Sequence, residues 1–229
     1  FIETMPKYNT TVPERDLACV PFQSQEGQDY YAAMACAANN AFANRQVIMH
    51  QVRKAFEEVF ERSAKEMEMY LTYDVAHNMA KLENHWVDGK KRKVVVHRKG
   101  STRSFGPGEK DLSKAYQKTG QPVIVGGSME TGSFLCVGTK KAMKETFGST
   151  LHGSGRTMSR TKAKREFRGD QLQQDMRQKG IFVKAASMQG LAEEAGKAYK
   201  NISDVIETMH ETGISLKVAA LKPIGNIKG

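Results

Sequence analysis

The chain is poor in the residues from which disulfide frameworks and local metal motifs are made. Its three cysteines, Cys19, Cys36 and Cys136, are odd in number, far apart and never arranged as CxxC. That excludes a disulfide scaffold and fits a reducing, cytoplasmic setting. The six histidines include no HxH or HExxH arrangement, so no metal site is written into one short stretch. No apolar run approaches the roughly 18 residues that a membrane span needs, and no secretory pattern opens the chain. What the chain has in excess is positive charge: Lys and Arg number 35 against 25 Asp and Glu, a formal net charge of +10 over 229 residues. This suits an anionic partner, nucleic acid first, or simply a soluble basic surface. The length fits one large domain or two small ones.

Phe1 stands where an initiator methionine would, and "FIETMPKYN" reads as the middle of a helix running into a proline-marked loop. The numbered chain is therefore expected to be the later part of a longer protein. Residues 6–24, with Pro6, Pro13 and Pro21, read as irregular. From Glu26 to about Arg62 the sequence is helical, a scaffold that Asn39–Asn40 is expected to break in two. "KVVVHRK" reads as a buried strand, "GSTRSFGPG" as a loop, and "QPVIVGGSMETGSFLCVG" as strand, glycine turn, strand. "SRTKAKREF" predicts a basic helix, and Asp170 caps a further one that stops at Gly180. "IFVKAA" is a short strand, "SDVIETMHETG" a helix, and "SLKVAALKPIGNIKG" strand-like. Helices and strands mix without a regular βαβ rhythm, so the expected class is α+β, with mixed sheets and packed helices.

Chemistry concentrates in four stretches and two single residues. In "TLHGSGRTMSR", Gly153 and Gly155 let backbone N–H groups approach a ligand, Ser154 adds a hydroxyl, and Arg156 and Arg160 can share a helix face and fork onto phosphate. His152 among them can be a turn residue, an acid–base, a metal ligand or a nucleophile on phosphorus. "YDVAHNMAKLE" holds His77, a candidate metal ligand, beside Asn78, with the carboxylates of Asp74 and Glu83 within reach as ligands or their supports. "VVVHRKGSTR" places His97, Arg98, Lys99 and Arg103 at a strand end, either contacting phosphate or forming a solvated rim. In "VGGSMETGS", Gly126, Gly127 and Gly132 with Ser128 and Ser133 form either a phosphate cradle or a tight hairpin turn, but neither a P-loop nor GxGxxG. Tyr199 precedes a helix and can stack on a base or pack. Lys228 is penultimate.

Together and in order, "YDVAHNMAKLE", "VHRKGSTRSFGPG", "GGSMETGS", "HGSGRTMSR", "YKNISDVI" and "KPIGNIKG" resemble the RtcB family of RNA-splicing ligases over nearly the whole chain. The resemblance implies an enzyme that uses GTP and manganese, two ions, to join RNA 3′-phosphate or 2′,3′-cyclic phosphate ends to 5′-hydroxyl ends in tRNA splicing and RNA repair. His152 is similar to the family histidine that becomes guanylylated, and His77 to a manganese ligand. Asn78, Lys99, the turn Gly126–Met129, Ser133 and the backbone Gly153–Arg156 resemble GTP or phosphate contacts. Tyr199 and Lys228 resemble guanine contacts, while Arg160 and Arg103 would hold RNA phosphates. The implied partners are RNA, tRNA halves among them, and an activating protein.

On this likeness, residues 1–229 are the later portion of a single catalytic domain, 1–62 a helical scaffold and 63–229 the nucleotide-binding and catalytic part. The family's other metal ligands, in earlier motifs of the Asp-x-x-Cys, Asn-His-x-x-Glu and His-x-Gly-x-Arg types, are expected ahead of this numbering. His77 would be the one member of the metal shell here, and a chain truncated to these residues is expected not to guanylylate alone. Two rivals remain open from sequence: a non-catalytic basic RNA-binding module, and a phosphatase with a phosphohistidine intermediate.

Overall fold

Serine, threonine and asparagine side chains start most of the helices by accepting a hydrogen bond from the first turn. The computed structural model describes residues 1–228, Lys228 through its backbone alone. It divides into two compact units, Phe1–Asp74 and Val75–Gly229.

The first unit is built on α1, Gln25–Phe60. Ser24 Oγ accepts from Gly27 N at 3.1 Å to start it, and Glu61, in the left-handed region at φ 52°, ends it. The expected break at Asn39–Asn40 does not occur, because an asparagine costs a helix at most about 0.7 kcal/mol relative to alanine and alanines flank the pair. Beyond the helix the chain is tied back to it. Two nitrogens of Arg53 donate to the Met69 carbonyl at 3.1 and 2.7 Å, and Arg45 Nε meets Asp74 Oδ1 at 2.6 Å.

The second unit opens with β1, Asn78–Val87, and β2, Lys90–Lys99. They form an antiparallel hairpin closed by Asp88 and Gly89, both at positive φ (51° and 72°), as a two-residue type I′ turn requires. The Asp-Gly pair was a signal for β1 that the sequence reading passed over. Next come β3, Ser101–Arg103, β4, Pro122–Gly126, and β5, Ser133–Gly138. Then follow α2, Lys140–Glu145, β6, Ser149–Leu151, α3, Arg160–Glu166, and α4, Gly169–Gln178. The chain continues through β7, Phe182–Ala185, α5, Met188–Glu193, and α6, Ile202–Glu211. It ends in β8, Ser215–Leu221, and β9, Gly225–Lys228.

The strands make small sheets: β1–β2, antiparallel β3–β6, antiparallel β4–β5–β8, and parallel β7–β9. This is the mixed arrangement of helices and small sheets expected. The stretch expected as loop, 100–108, contains β3, and Asp170 lies in the first turn of α4 instead of capping it. Two apolar cores hold the unit. Val123, Val125 and Cys136 pack with Ile202 and Ile206, so the three-stranded sheet lies on α6. Met129, Ile181 and Val183 pack with Met176 and Leu191, which joins β7 to α4 and α5. Among the described residues no helix is long and apolar enough to cross a membrane.

Candidate nucleotide and catalytic site

His152 follows β6 directly and is exposed. Its Nδ1 lies 2.5 Å from the Gly100 carbonyl oxygen. A carbonyl can only accept, so Nδ1 is the donor, and in the neutral ring Nε2 is the nitrogen with the free lone pair. Gly100 has φ +66°, a left-handed conformation that turns the chain from β2 into β3 and that a side chain would strain. Its own N–H donates to Asn78 Oδ1 at 3.2 Å. The ring of His77 stacks on that of His152, centroids 4.9 Å apart and planes within 1°. Asn78 is the register partner of Lys99. The open end of the β1–β2 hairpin thus brings His77, Asn78, Lys99 and Gly100 to His152.

Behind His152 the glycine loop crosses the end of β4. Gly126 N donates to the His152 carbonyl at 3.2 Å, and Ser154 N to the Gly126 carbonyl at 2.8 Å. A Cβ at Gly153 would come within 2.9 Å of that same Gly126 oxygen, so glycine is required there by close approach. Ser154 is 4% exposed, and its Oγ has no hydrogen-bond partner among the described residues. An orphaned buried hydroxyl costs stability unless a ligand satisfies it. Gly155, at φ +74°, has open space where a Cβ would stand. These features fit a polar, anionic group bound against the loop.

The Gly126–Ser133 stretch differs from the open cradle considered from sequence. Gly127 N donates to the Gly132 carbonyl at 2.8 Å and Ser128 N to Thr131 Oγ1 at 2.9 Å. Ser128 Oγ accepts from Glu130 N and Thr131 N, each at 3.2 Å. The Met129 side chain is buried in the second core. The turn closes on itself, and Ser133 pairs with Gly126 in the sheet.

Arg156 does not share a helix face with Arg160, because α3 begins at Arg160. Instead its guanidinium lies 4.7 Å from the Tyr199 ring centroid. It donates to Tyr199 Oη at 2.8 Å, to the Glu193 carbonyl at 2.6 Å and to the Met158 carbonyl at 3.1 Å. Tyr199 Oη in turn donates to Glu194 at 2.6 Å. Burial, with the Glu194 carboxylate acting in the same direction, pushes the Tyr199 hydroxyl up to about 12. One face of Tyr199 is therefore covered by Arg156, whose side chain serves the fold. Arg160 is open, its side chain 72% exposed and its Nε 3.5 Å from Glu193 Oε2. Arg103 Nε donates to Gln121 Oε1 at 3.0 Å, and the guanidinium lies over Phe105. Lys228 follows Ile227 in β9 opposite Ala185, and its side chain lies outside the described residues.

Sequence reasoning misplaced Glu83 and Arg98. Glu83 is buried, forked by Arg98 at 2.7 and 2.8 Å and joined by His85 Nε2 at 3.0 Å. Burial raises its carboxyl, yet the hydrogen bonds from Arg98 and His85 outweigh that and leave it below the usual carboxylate range. It is a structural pair partner and offers no oxygen to a metal beside His77. Asp74 is engaged by Arg45 in the first unit. Asp16 and Cys19 do stand at the Asp-x-x-Cys spacing, a match the sequence reading passed over, and both are exposed. No group of three His, Cys, Asp or Glu side chains forms a metal cluster among the described residues. A divalent ion takes several N or O donors, so this chain's described residues do not by themselves complete a manganese site. The functional group missed entirely was the Gly100 carbonyl, for which the one sequence signal was a glycine directly after a basic strand end.

Fold and site together define a mixed α/β protein in which two stacked histidines, one of them fixed by a backbone carbonyl, lie beside a glycine loop. The chain belongs to the RtcB family: the family model described as tRNA-splicing ligase RtcB matches residues 1–229. It is 55% identical over 223 residues to the tRNA-splicing ligase RtcB of Thermococcus kodakarensis, which covers 97% of this chain and 46% of that protein. The proteins of the same name from Archaeoglobus fulgidus and Methanococcus maripaludis are 55% and 53% identical with the same coverage. The chain spans about half the length of these curated relatives.

Proposed function

We propose that this chain is the nucleotide-binding and catalytic portion of a GTP- and manganese-dependent RNA ligase. It joins RNA 3′-phosphate or 2′,3′-cyclic phosphate ends to 5′-hydroxyl ends, in tRNA splicing and RNA repair. The observation that carries this reading is the hydrogen bond from His152 Nδ1 to the Gly100 carbonyl. It leaves Nε2 as a nucleophile on an exposed ring.

Nε2 attacks the α-phosphorus of GTP, forming a nitrogen–phosphorus bond while the bond to the β-phosphate oxygen breaks and pyrophosphate leaves. The ring becomes cationic, and the Gly100 carbonyl dipole stabilises that charge through Nδ1–H. A 2′,3′-cyclic end is first opened by water, which breaks the bond to O2′ and leaves a 2′-hydroxyl and a 3′-phosphate; an oxygen of that 3′-phosphate then takes the guanylate from Nε2, restoring the imidazole. The 5′-hydroxyl attacks the activated phosphorus, loses its proton, and GMP leaves. Ser154 Oγ and Lys99 hold phosphate oxygens during these steps, while Asn78 keeps Gly100 in place. A bound divalent ion supplies neutralisation of phosphate charge. His77 would be one donor to it, and on this reading the others would belong to the part of the relatives that this chain does not span. Tyr199 offers the guanine its ring face not covered by Arg156.

The test uses the full-length protein that contains this chain. It is incubated with α-labelled GTP and manganese, denatured and mapped by mass spectrometry. Acid-labile GMP on His152, absent in His152→Gln, is the expected result. No adduct, with RNA still bound, would replace the ligase reading by that of a basic RNA-binding module.

A further inference from the structure

The β1–β2 hairpin has two faces with different contents. Side chains alternate along a strand, so the register assigns alternate residues to two faces. One face carries Glu83, His85, Val96 and Arg98, all buried. The other carries the register pairs Asn78–Lys99, Ala80–His97, Leu82–Val95, Asn84–Lys93 and Trp86–Lys91. On this second face Lys91, Lys93, His97 and Lys99 are exposed, Leu82 and Val95 are half-buried and Ala80 is buried, and no residue is acidic. Trp86, the chain's single tryptophan, is 72% exposed beside Lys91.

An indole this open is costly to leave in water and is a ready platform for stacking. Lys91 and Lys93, two residues apart on one strand, give it an electrostatic approach, and Lys99 stands further along at the histidine end. From Lys91 to Lys99 the track runs about 27 Å at ~3.4 Å per residue, and it ends beside Gly100 and His152. We propose that this face of the hairpin is a docking track for single-stranded RNA, with a base stacked on Trp86 and the phosphates led along Lys91 and Lys93 toward His152. The strand is single because a duplex keeps its bases stacked on one another, whereas an exposed ring between cations takes an unpaired base. The track rests on the ligase reading for its substrate class, and extends it to a surface far from the reacting histidine.

Trp86→Ala, Trp86→Phe and the double variant Lys91→Gln/Lys93→Gln are made in the full-length protein, leaving Lys99 intact. Binding of a labelled single-stranded RNA with a 3′-phosphate is followed by anisotropy over a salt series, and GMP transfer to His152 is measured without RNA. Loss of the stacking ring weakens binding about tenfold, and phenylalanine restores most of it. Loss of both lysines lowers the slope of log affinity against log salt by about 1.4. GMP transfer stays unchanged in all three. Affinity and slope within twofold of native, with GMP transfer intact, would overturn the track and leave the ligase reading standing. A Trp86→Ala protein that loses GMP transfer too would overturn it as well, since Trp86 would then be packing for another part of the protein. If native protein forms no GMP adduct yet binds RNA through Trp86, the track stands and the ligase reading falls.

Discussion

Replacing Arg98 by alanine should unfold the hairpin locally and disturb His152 with it. Arg98 is 3% exposed and holds Glu83 through two hydrogen bonds of 2.7 and 2.8 Å. It also donates to Ser149 Oγ and to the Phe147 carbonyl, both at 2.9 Å, which ties β2 to the segment leading into β6 and His152. Removing the guanidinium strands a carboxylate in the interior, and breaking such a buried pair costs about 3–5 kcal/mol. Removing both charges with Glu83→Leu/Arg98→Met should recover most of that loss, because well-packed apolar side chains replace a buried pair at little cost. Hydrogen exchange of β1 and β2 amides in the full-length protein measures the opening free energy. GMP transfer to His152 should fall roughly 10–100-fold in Arg98→Ala, since Gly100 no longer holds the ring in place. The same pair has a pH signature. The folded Glu83 carboxyl lies below its ordinary value, so its stabilisation is fully present above the unfolded carboxylate value of about 4.3 and is lost as pH falls through the folded value. That acid-linked loss should vanish in Glu83→Gln. An Arg98→Ala protein within about 1 kcal/mol of native, against the 3–5 expected, would refute the reasoning.

Ser154→Ala should leave stability unchanged or raise it slightly, because nothing among the described residues bonds its buried hydroxyl. It should also weaken GTP binding roughly five- to tenfold, as read by the thermal shift with and without nucleotide. Gly153→Ala places a Cβ 2.9 Å from the Gly126 carbonyl oxygen, a backbone atom that cannot swing away. The expected cost is about 1–3 kcal/mol by urea denaturation, with slower GMP transfer. Cys136 is buried, and burial pushes its thiol up to about 11. Iodoacetamide at neutral pH followed by peptide mapping should leave it unlabelled until the protein unfolds.

Local signals made much of the molecule readable in advance. "KVVVHRK" and "PVIVGGSMETGSFLCVG" became β2, β4 and β5 because β-branched runs favour strands, though "KVVVHRK", expected as a buried strand, is buried only at Val96 and Arg98. Ser159, before "RTKAKRE", caps α3 by accepting from Lys162 N at 3.1 Å. His152 with Gly153 and Gly155 stood out because small neighbours leave an imidazole unhindered. Reading failed where the deciding contact was remote. Asn39–Asn40 looked like a break, but helix continuation depends on all the flanking alanines. Glu83 looked like a metal ligand or a support for one beside His77, yet it lies on the inward face of β1, where Arg98, fifteen positions along, was placed by the hairpin. Arg156 looked like a phosphate fork until the bridge to Tyr199 showed that its partners arrive from a later segment.

Residue type and short-range spacing determined, by themselves, the basic character of the chain and several of its elements, among them α1, β2, β4, β5, α3 and α6, and they marked His152 as a candidate for phosphate chemistry. Only the tertiary structure decided which nitrogen of that histidine carries the proton, because the accepting carbonyl belongs to Gly100, 52 positions away. It also decided which cations are free to meet a ligand and which neutralise buried carboxylates. A strand's alternation assigns side chains to two faces, but the packing of those faces settles which one meets solvent.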